Sequence, residues 1–204
     1  MALEGRTEEG IIDAVMQILK GCILTSGVDV DKLPTFDIEH IFLELRKHSL
    51  GETVELSLGH LHNPECQHIT KTSFDMNQIK LSRDKEINKK IMLSDEIGVV
   101  MRYPSMKTAL VISQTNQASK IEGVFKFIAD CIDTVFNGDD VIDMTQVSPK
   151  EMLEWVETMD SDQVKALYDF IDGMPYHSAK VAYTCQECGV HESHELKGLL
   201  DFFT

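Results

Sequence analysis

Apolar residues recur at three- and four-residue steps at the start of the chain, where Ile11, Ile12, Val15, Met16 and Leu19 form one stripe. That spacing predicts a helix ending near Gly21. Cys22 then packs just past the stripe as a small hydrophobe. After "GVDVDKLP" the pattern returns in Ile38, Ile41, Phe42 and Leu45, a second helix that stops before Gly51. From residue 52 the period changes to two. Val54, Leu56 and Leu58 alternate with Thr53, Glu55 and Ser57, as a half-buried strand requires, and residues 69–76 read as its return partner. The turn between them is "GHLHNPECQH".

"KIMLSDEIGVVMRYP" supplies two short apolar runs, and Pro104 keeps Tyr103 out of a helix; a short helix is expected over residues 105–113. Ile121, Val124, Phe125, Ile128, Ile132, Val135 and Phe136 then predict five turns of one helix ending at Asn137-Gly138, with "GDDVIDM" as a brief strand or turn. "SPKE" at 148–151 joins an N-cap serine, a proline at the first helical position and a glutamate three residues after the cap. A helix therefore starts at Pro149 with Met152, Trp155, Val156 and Met159 inward, and another restarts at "DSDQ", residues 160–163, with Val164, Leu167, Tyr168 and Ile171 inward. The last thirty residues return to strand character in "KVAYT" and "SHELKG" before an apolar "LLDFF".

The expected fold class is α+β: helices packed on a small antiparallel sheet, with two β-hairpins joined by a zinc-ribbon-like site. The parts are a helical stretch over residues 1–50, the first hairpin and strands over 51–104, a helical stretch over 105–175 and a knuckle-bearing hairpin over 176–204. They are expected to form one integrated domain.

Composition changes this picture in three ways. With 43% hydrophobic and 26% charged residues the class is ordinary globular. A net charge of −15 repels phosphate backbones and anionic lipid, so nucleic acid and membrane are disfavoured as partners and a basic protein surface is permitted. Five cysteines, an odd number, make no disulfide framework and fit a reducing cytoplasm. No stretch has the ~20 apolar residues of a membrane span.

"YTCQECGVHESHELKG", residues 183–198, carries the clearest chemistry. Cys185-x-x-Cys188 followed by Gly189 at a hairpin turn is one way to present two thiolates to Zn2+. Two arrangements complete the site. His191 and His194 would give C-x2-C-x2-H-x2-H, tighter than the ~12 residues a finger places between its second cysteine and first histidine. The other turn holds His60, His62, Cys66 and His68, and His62-x3-Cys66 has knuckle-like spacing. The second arrangement is favoured, with Cys185, Cys188, Cys66 and His62 as ligands of a structural Zn2+ that ties the two ends of the chain together. Against any metal stands a redox or incidental surface pair, although redox pairs sit at helix N-termini and this one sits in a hairpin.

"HESHE" departs from H-E-x-x-H, and no G-x-x-x-x-G-K-[ST], G-x-G-x-x-G or G-x-S-x-G occurs, so no enzyme and no small-molecule substrate is expected. A zinc-ribbon nucleic-acid binder is the alternative that the two knuckles allow and the charge opposes. Phe202 and Phe203 are costly to expose, so they dock on this chain or on a partner.

"DVDKLPTFDIEHIFLELRKHSLGE" (29–52), "LSDEIGVVMRYPS" (93–105) and "KEMLEWVETMDSDQVKALYDFIDGMP", followed by C-x-x-C-G and a terminal "LKGLLDFF", resemble the baseplate hub assembly family of T4-type contractile-tailed phages over nearly the whole chain. "MALEGRTEEGIIDAVMQILKGC" resembles a stretch that members carry a few dozen residues in, which implies an N-terminal extension that this sequence lacks. The resemblance implies a non-enzymatic late protein that builds the tail baseplate through contacts with other hub or wedge proteins, working in the host cytoplasm during assembly and with a place in the virion baseplate.

Overall fold

The computed structural model describes residues 7–60, 62–63, 65–82, 88–113, 120–142 and 144–202. In chain order the elements are α1 (Glu8–Cys22), α2 (Thr35–Leu50), β1 (Thr53–Leu58), β2 (Thr70–Asp75), β3 (Lys80–Ser82), β4 (Lys90–Met92) and β5 (Ile97–Met101). They continue with α3 (Met106–Ser113), α4 (Lys120–Cys131), β6 (Ile132–Asn137), β7 (Asp140–Ile142), α5 (Pro149–Glu157) and α6 (Ser161–Asp172). β8 (Tyr176–Thr184), β9 (His191–Lys197) and the short α7 (Gly198–Asp201) complete the chain. The class is α+β, as the periodicities predict, with three antiparallel sheets: β1-β2, β3-β8-β9 and β4-β5-β6-β7. No helix among the described residues is long and apolar enough to cross a membrane.

The chain divides into two compact units. One gathers residues 1–30, 36–82 and 175–204, and the other residues 31–35 and 83–174.

In the second unit, α4, α5 and α6 pack on the four-stranded sheet. Ile128, Met152, Val156, Leu167 and Phe170 meet Val99, Met101, Ile132 and Val135 in one buried cluster. The capping box at Ser148 forms as its sequence requires: Ser148 Oγ accepts the Glu151 N–H, and the Glu151 carboxylate accepts the Ser148 N–H. A second box, on Asp160 and Gln163, starts α6. The single five-turn helix expected over residues 121–136 is corrected: the helix ends at Cys131 and the chain runs on as β6. The ladder to β5 shifts register at Val100/Met101, so Ile132 and Thr134 pair with consecutive residues while Asp133 bulges. The extra residue converts a period of two into the spacing of three between Ile132 and Val135 that imitates a helix face.

In the first unit, the β1-β2 and β8-β9 hairpins share a core. Leu56, Leu58 and Phe74 pack with Ala179, Val181, Tyr183, Leu196 and Phe202. Phe202 thus docks on its own chain, only 2% exposed; Phe203 lies outside the described residues. Each buried Leu, Val or Phe of this cluster contributes about 1.5–3 kcal/mol relative to exposure. This shared core carries the two turns that matter chemically.

Candidate metal centre

Gly59 and His60 follow directly on β1, and the Tyr183 hydroxyl on β8 lies 2.7 Å from the Gly59 carbonyl oxygen, which accepts its hydrogen bond. The 59–69 turn is thereby fastened to the strand that leads into Cys185. At the other turn, the Gly189 N–H donates to the Cys185 carbonyl at 3.0 Å and the Cys185 N–H to the Val190 carbonyl at 2.9 Å. Closing the turn this tightly needs Gly189 at φ +72°, a region that penalises any side chain.

The result is a group of four: His60, Cys66, Cys185 and Cys188, whose ligand atoms all lie within 4.8 Å of one another. Cys66 Sγ is 3.9 Å from Cys185 Sγ, and His60 Nε2 is 3.3 Å from Cys188 Sγ. A tetrahedral ion with ~2.3 Å bonds to sulfur and ~2.0 Å to nitrogen sets its ligand atoms roughly 3.5–3.8 Å apart. The spacings therefore fit such an ion, whereas 3.9 Å is far from the ~2.05 Å of a disulfide. Three sulfurs and one imidazole are the donors that a soft or borderline divalent cation takes, and four protein donors close a tetrahedron.

Electrostatics at the group favour a charged donor. The backbone N–H groups of Cys188 and Glu187, with the His60 ring, bring the Cys185 thiol down to about 6 although burial opposes them. At Cys66 the His68 N–H pulls the thiol down, but burial and the neighbouring Cys188 and Cys185 sulfurs outweigh it and leave it raised. Behind the imidazole, His60 Nδ1 lies 3.1 Å from Glu192 Oε1, with side-chain exposures of 2% and 4%. Glu192, and after it Cys185, raise the imidazole pKa. A carboxylate on the far nitrogen is what fixes the tautomer and orientation of metal-ligating histidines. Glu192 is itself held by the Tyr183 hydroxyl at 2.9 Å and the His62 backbone N–H at 3.3 Å. Burial and that carboxylate push the Tyr183 phenol up to about 12.

Of the residues expected from sequence, Cys66, Cys185 and Cys188 come together and His62 does not. His62 is exposed and enters the network through its backbone N–H. His60 takes the fourth place because it continues the inward alternation of Leu56 and Leu58. The local pair is elsewhere too: His191 Nδ1 is 2.6 Å from Thr184 Oγ1, and the His194 ring stands edge-on to Tyr183. His68 Nδ1 lies 3.3 Å from Glu187 Oε2. Glu192 went unread, although alternation along β9 places it on the inward face with Leu196.

Over its whole length, residues 1–204, the sequence matches the family model described as T4 bacteriophage base plate protein. The chain belongs to that family. Among curated proteins it is similar to the baseplate hub assembly protein gp26 of Enterobacteria phage T4, with 24% identity over 189 residues that span 93% of this chain and 79% of that protein. No solved structure matches it. A role in the phage baseplate, structural or in its assembly, comes with family membership.

Proposed function

We propose that this protein helps assemble the hub of the phage baseplate by binding other hub or wedge proteins, that it catalyses no reaction, and that a structural Zn2+ on His60, Cys66, Cys185 and Cys188 holds its two hairpin turns together. The work is done in the cytoplasm of the infected host, and the tail baseplate of the virion is where its partners reside. The full-length family match carries this reading, and the hub assembly protein similar to it supplies the more specific step. Four protein donors around one ion leave no position for a substrate or an activated water, which favours a structural over a catalytic metal. The net charge of −15 favours basic protein surfaces over nucleic acid.

Affinity purification of the tagged full chain from infected cells, followed by mass spectrometry, tests the reading. Hub or wedge proteins should be recovered above an untagged control. Recovery of no tail protein would overturn it.

A further inference from the structure

β7 is the last strand of its sheet and pairs only with β6 among the described residues, which leaves its outer backbone edge unmatched by another strand. Two of its three side chains are apolar and exposed, Val141 at 68% and Ile142 at 45% accessible, and the third is Asp140 at its start. An exposed apolar edge is a template for strand addition, which folded proteins ordinarily blunt with charge, proline or cover. Beside it lies a cavity of about 210 Å³ lined by Ile97, Val135, Ile142, Met144, Val147 and Trp155. Edge and cavity together form one apolar surface within the second unit.

Charge defines one end of that surface. The Glu96 carbonyl accepts the Gly138 N–H at 2.8 Å, which sets Glu96 beside the β6-β7 turn with the exposed Asp139 and Asp140. Glu151 lines the cavity itself. On the basic side, the Lys90 ammonium sits 4.4 Å above the Phe136 ring, and Lys150 is paired with Glu154 at 3.4 Å. The acidic end suits a cationic partner, and a second copy of a chain with net charge −15 would meet repulsion there.

We propose that β7 and the adjoining cavity dock an extended segment of another baseplate protein, one with aliphatic side chains at alternate positions and Lys or Arg lying over Glu96, Asp139 and Asp140. The segment adds as a fifth strand. Its backbone pairs with residues 140–142, and its aliphatic side chains enter the cavity. The proposal rests on the protein-contact reading above and supplies its surface.

The test places a photo-cross-linker in the full chain as Val141→p-benzoylphenylalanine, with Tyr168→p-benzoylphenylalanine on α6 as a control of 45% exposure in the same unit. Cells expressing each chain are infected and irradiated, and the cross-linked peptide is sequenced. The expected adduct at position 141 comes from another tail protein, with alternating aliphatic residues flanked by Lys or Arg. Its yield should fall about tenfold when Glu96→Lys and Asp139→Lys are added, a loss expected from like-charge contact, while circular dichroism stays unchanged. An adduct no stronger than the Tyr168 control, one with a second copy of the chain, or one insensitive to charge reversal overturns the proposal. Affinity purification from the same lysates separates the two failures. Tail proteins recovered without a position-141 adduct sink this surface alone, whereas recovery of no tail protein sinks the assembly reading as well.

Discussion

Replacing Cys66 by serine should both empty the metal site and destabilise the first unit, and the structure sets the size of the second effect. Cys66 and Cys185 are 119 residues apart, and their sulfurs approach to 3.9 Å. Tying such distant points together removes loop-closure entropy from the unfolded chain. A cross-link closing a loop of that length is worth about 5 kcal/mol at 25 °C in the chain-entropy model. For a chain of this size each kcal/mol moves Tm by about 2–4 °C, so Cys66→Ser should unfold roughly 10–20 °C below the wild type. Thermal unfolding followed by circular dichroism, with metal content measured by mass spectrometry on the same samples, reads both quantities. Chelator should bring the wild type down to the variant and leave the variant where it is, because the proposed ion is the tie being removed. A Cys66→Ser protein that keeps one Zn2+ per chain, or whose Tm and chelator response match the wild type, would refute the reasoning.

The remaining expectations are more local. His60→Ala should lose the metal while His62→Ala keeps it, and Glu192→Gln should weaken metal affinity about 10–100-fold by freeing the His60 ring; equilibrium titration with Zn2+ reads all three. Gly98→Ala would put a methyl 2.3 Å from the Phe136 ring and 2.9 Å from the Ile91 carbonyl oxygen, so denaturant unfolding should show a loss of about 1–3 kcal/mol with the metal retained. Burial pushes the Cys131 thiol up to about 12, so it stays protonated at pH 8. Native-state alkylation mapped by mass spectrometry should leave Cys131 unmodified while labelling Cys22, which is exposed at the end of α1 instead of packed past its stripe as expected.

Local signals made the helices and the first hairpin legible. The apolar stripe of α1 and the capping box at Ser148 act within one or two turns, and the alternation of Val54, Leu56 and Leu58 acts within one strand. β6 was hidden because its inward residues are spaced by a bulge whose cause is the distant partner β5. Residues 132–136 satisfy both periods until that pairing decides.

The metal group was partly legible for a related reason. Cys185-x-x-Cys188 announces itself through a local turn, and Cys66 follows from donor type. The histidine is chosen by the register of β1 and by the Tyr183 hydrogen bond to Gly59, neither of which knuckle spacing contains. Glu192 was missed because it acts only through its contact with the His60 ring, which lies on the other hairpin. Reading it requires carrying the β9 alternation across to that hairpin.

X-ray absorption spectroscopy on the purified, zinc-loaded full chain tests the central structural claim most directly. Ligation by Cys66, Cys185, Cys188 and His60 predicts three sulfurs at about 2.3 Å and one nitrogen at about 2.0 Å around the ion, and no bound ion in Cys66→Ser. Two sulfurs and two nitrogens, unchanged in that variant, would place the site in residues 185–194 alone and contradict the account.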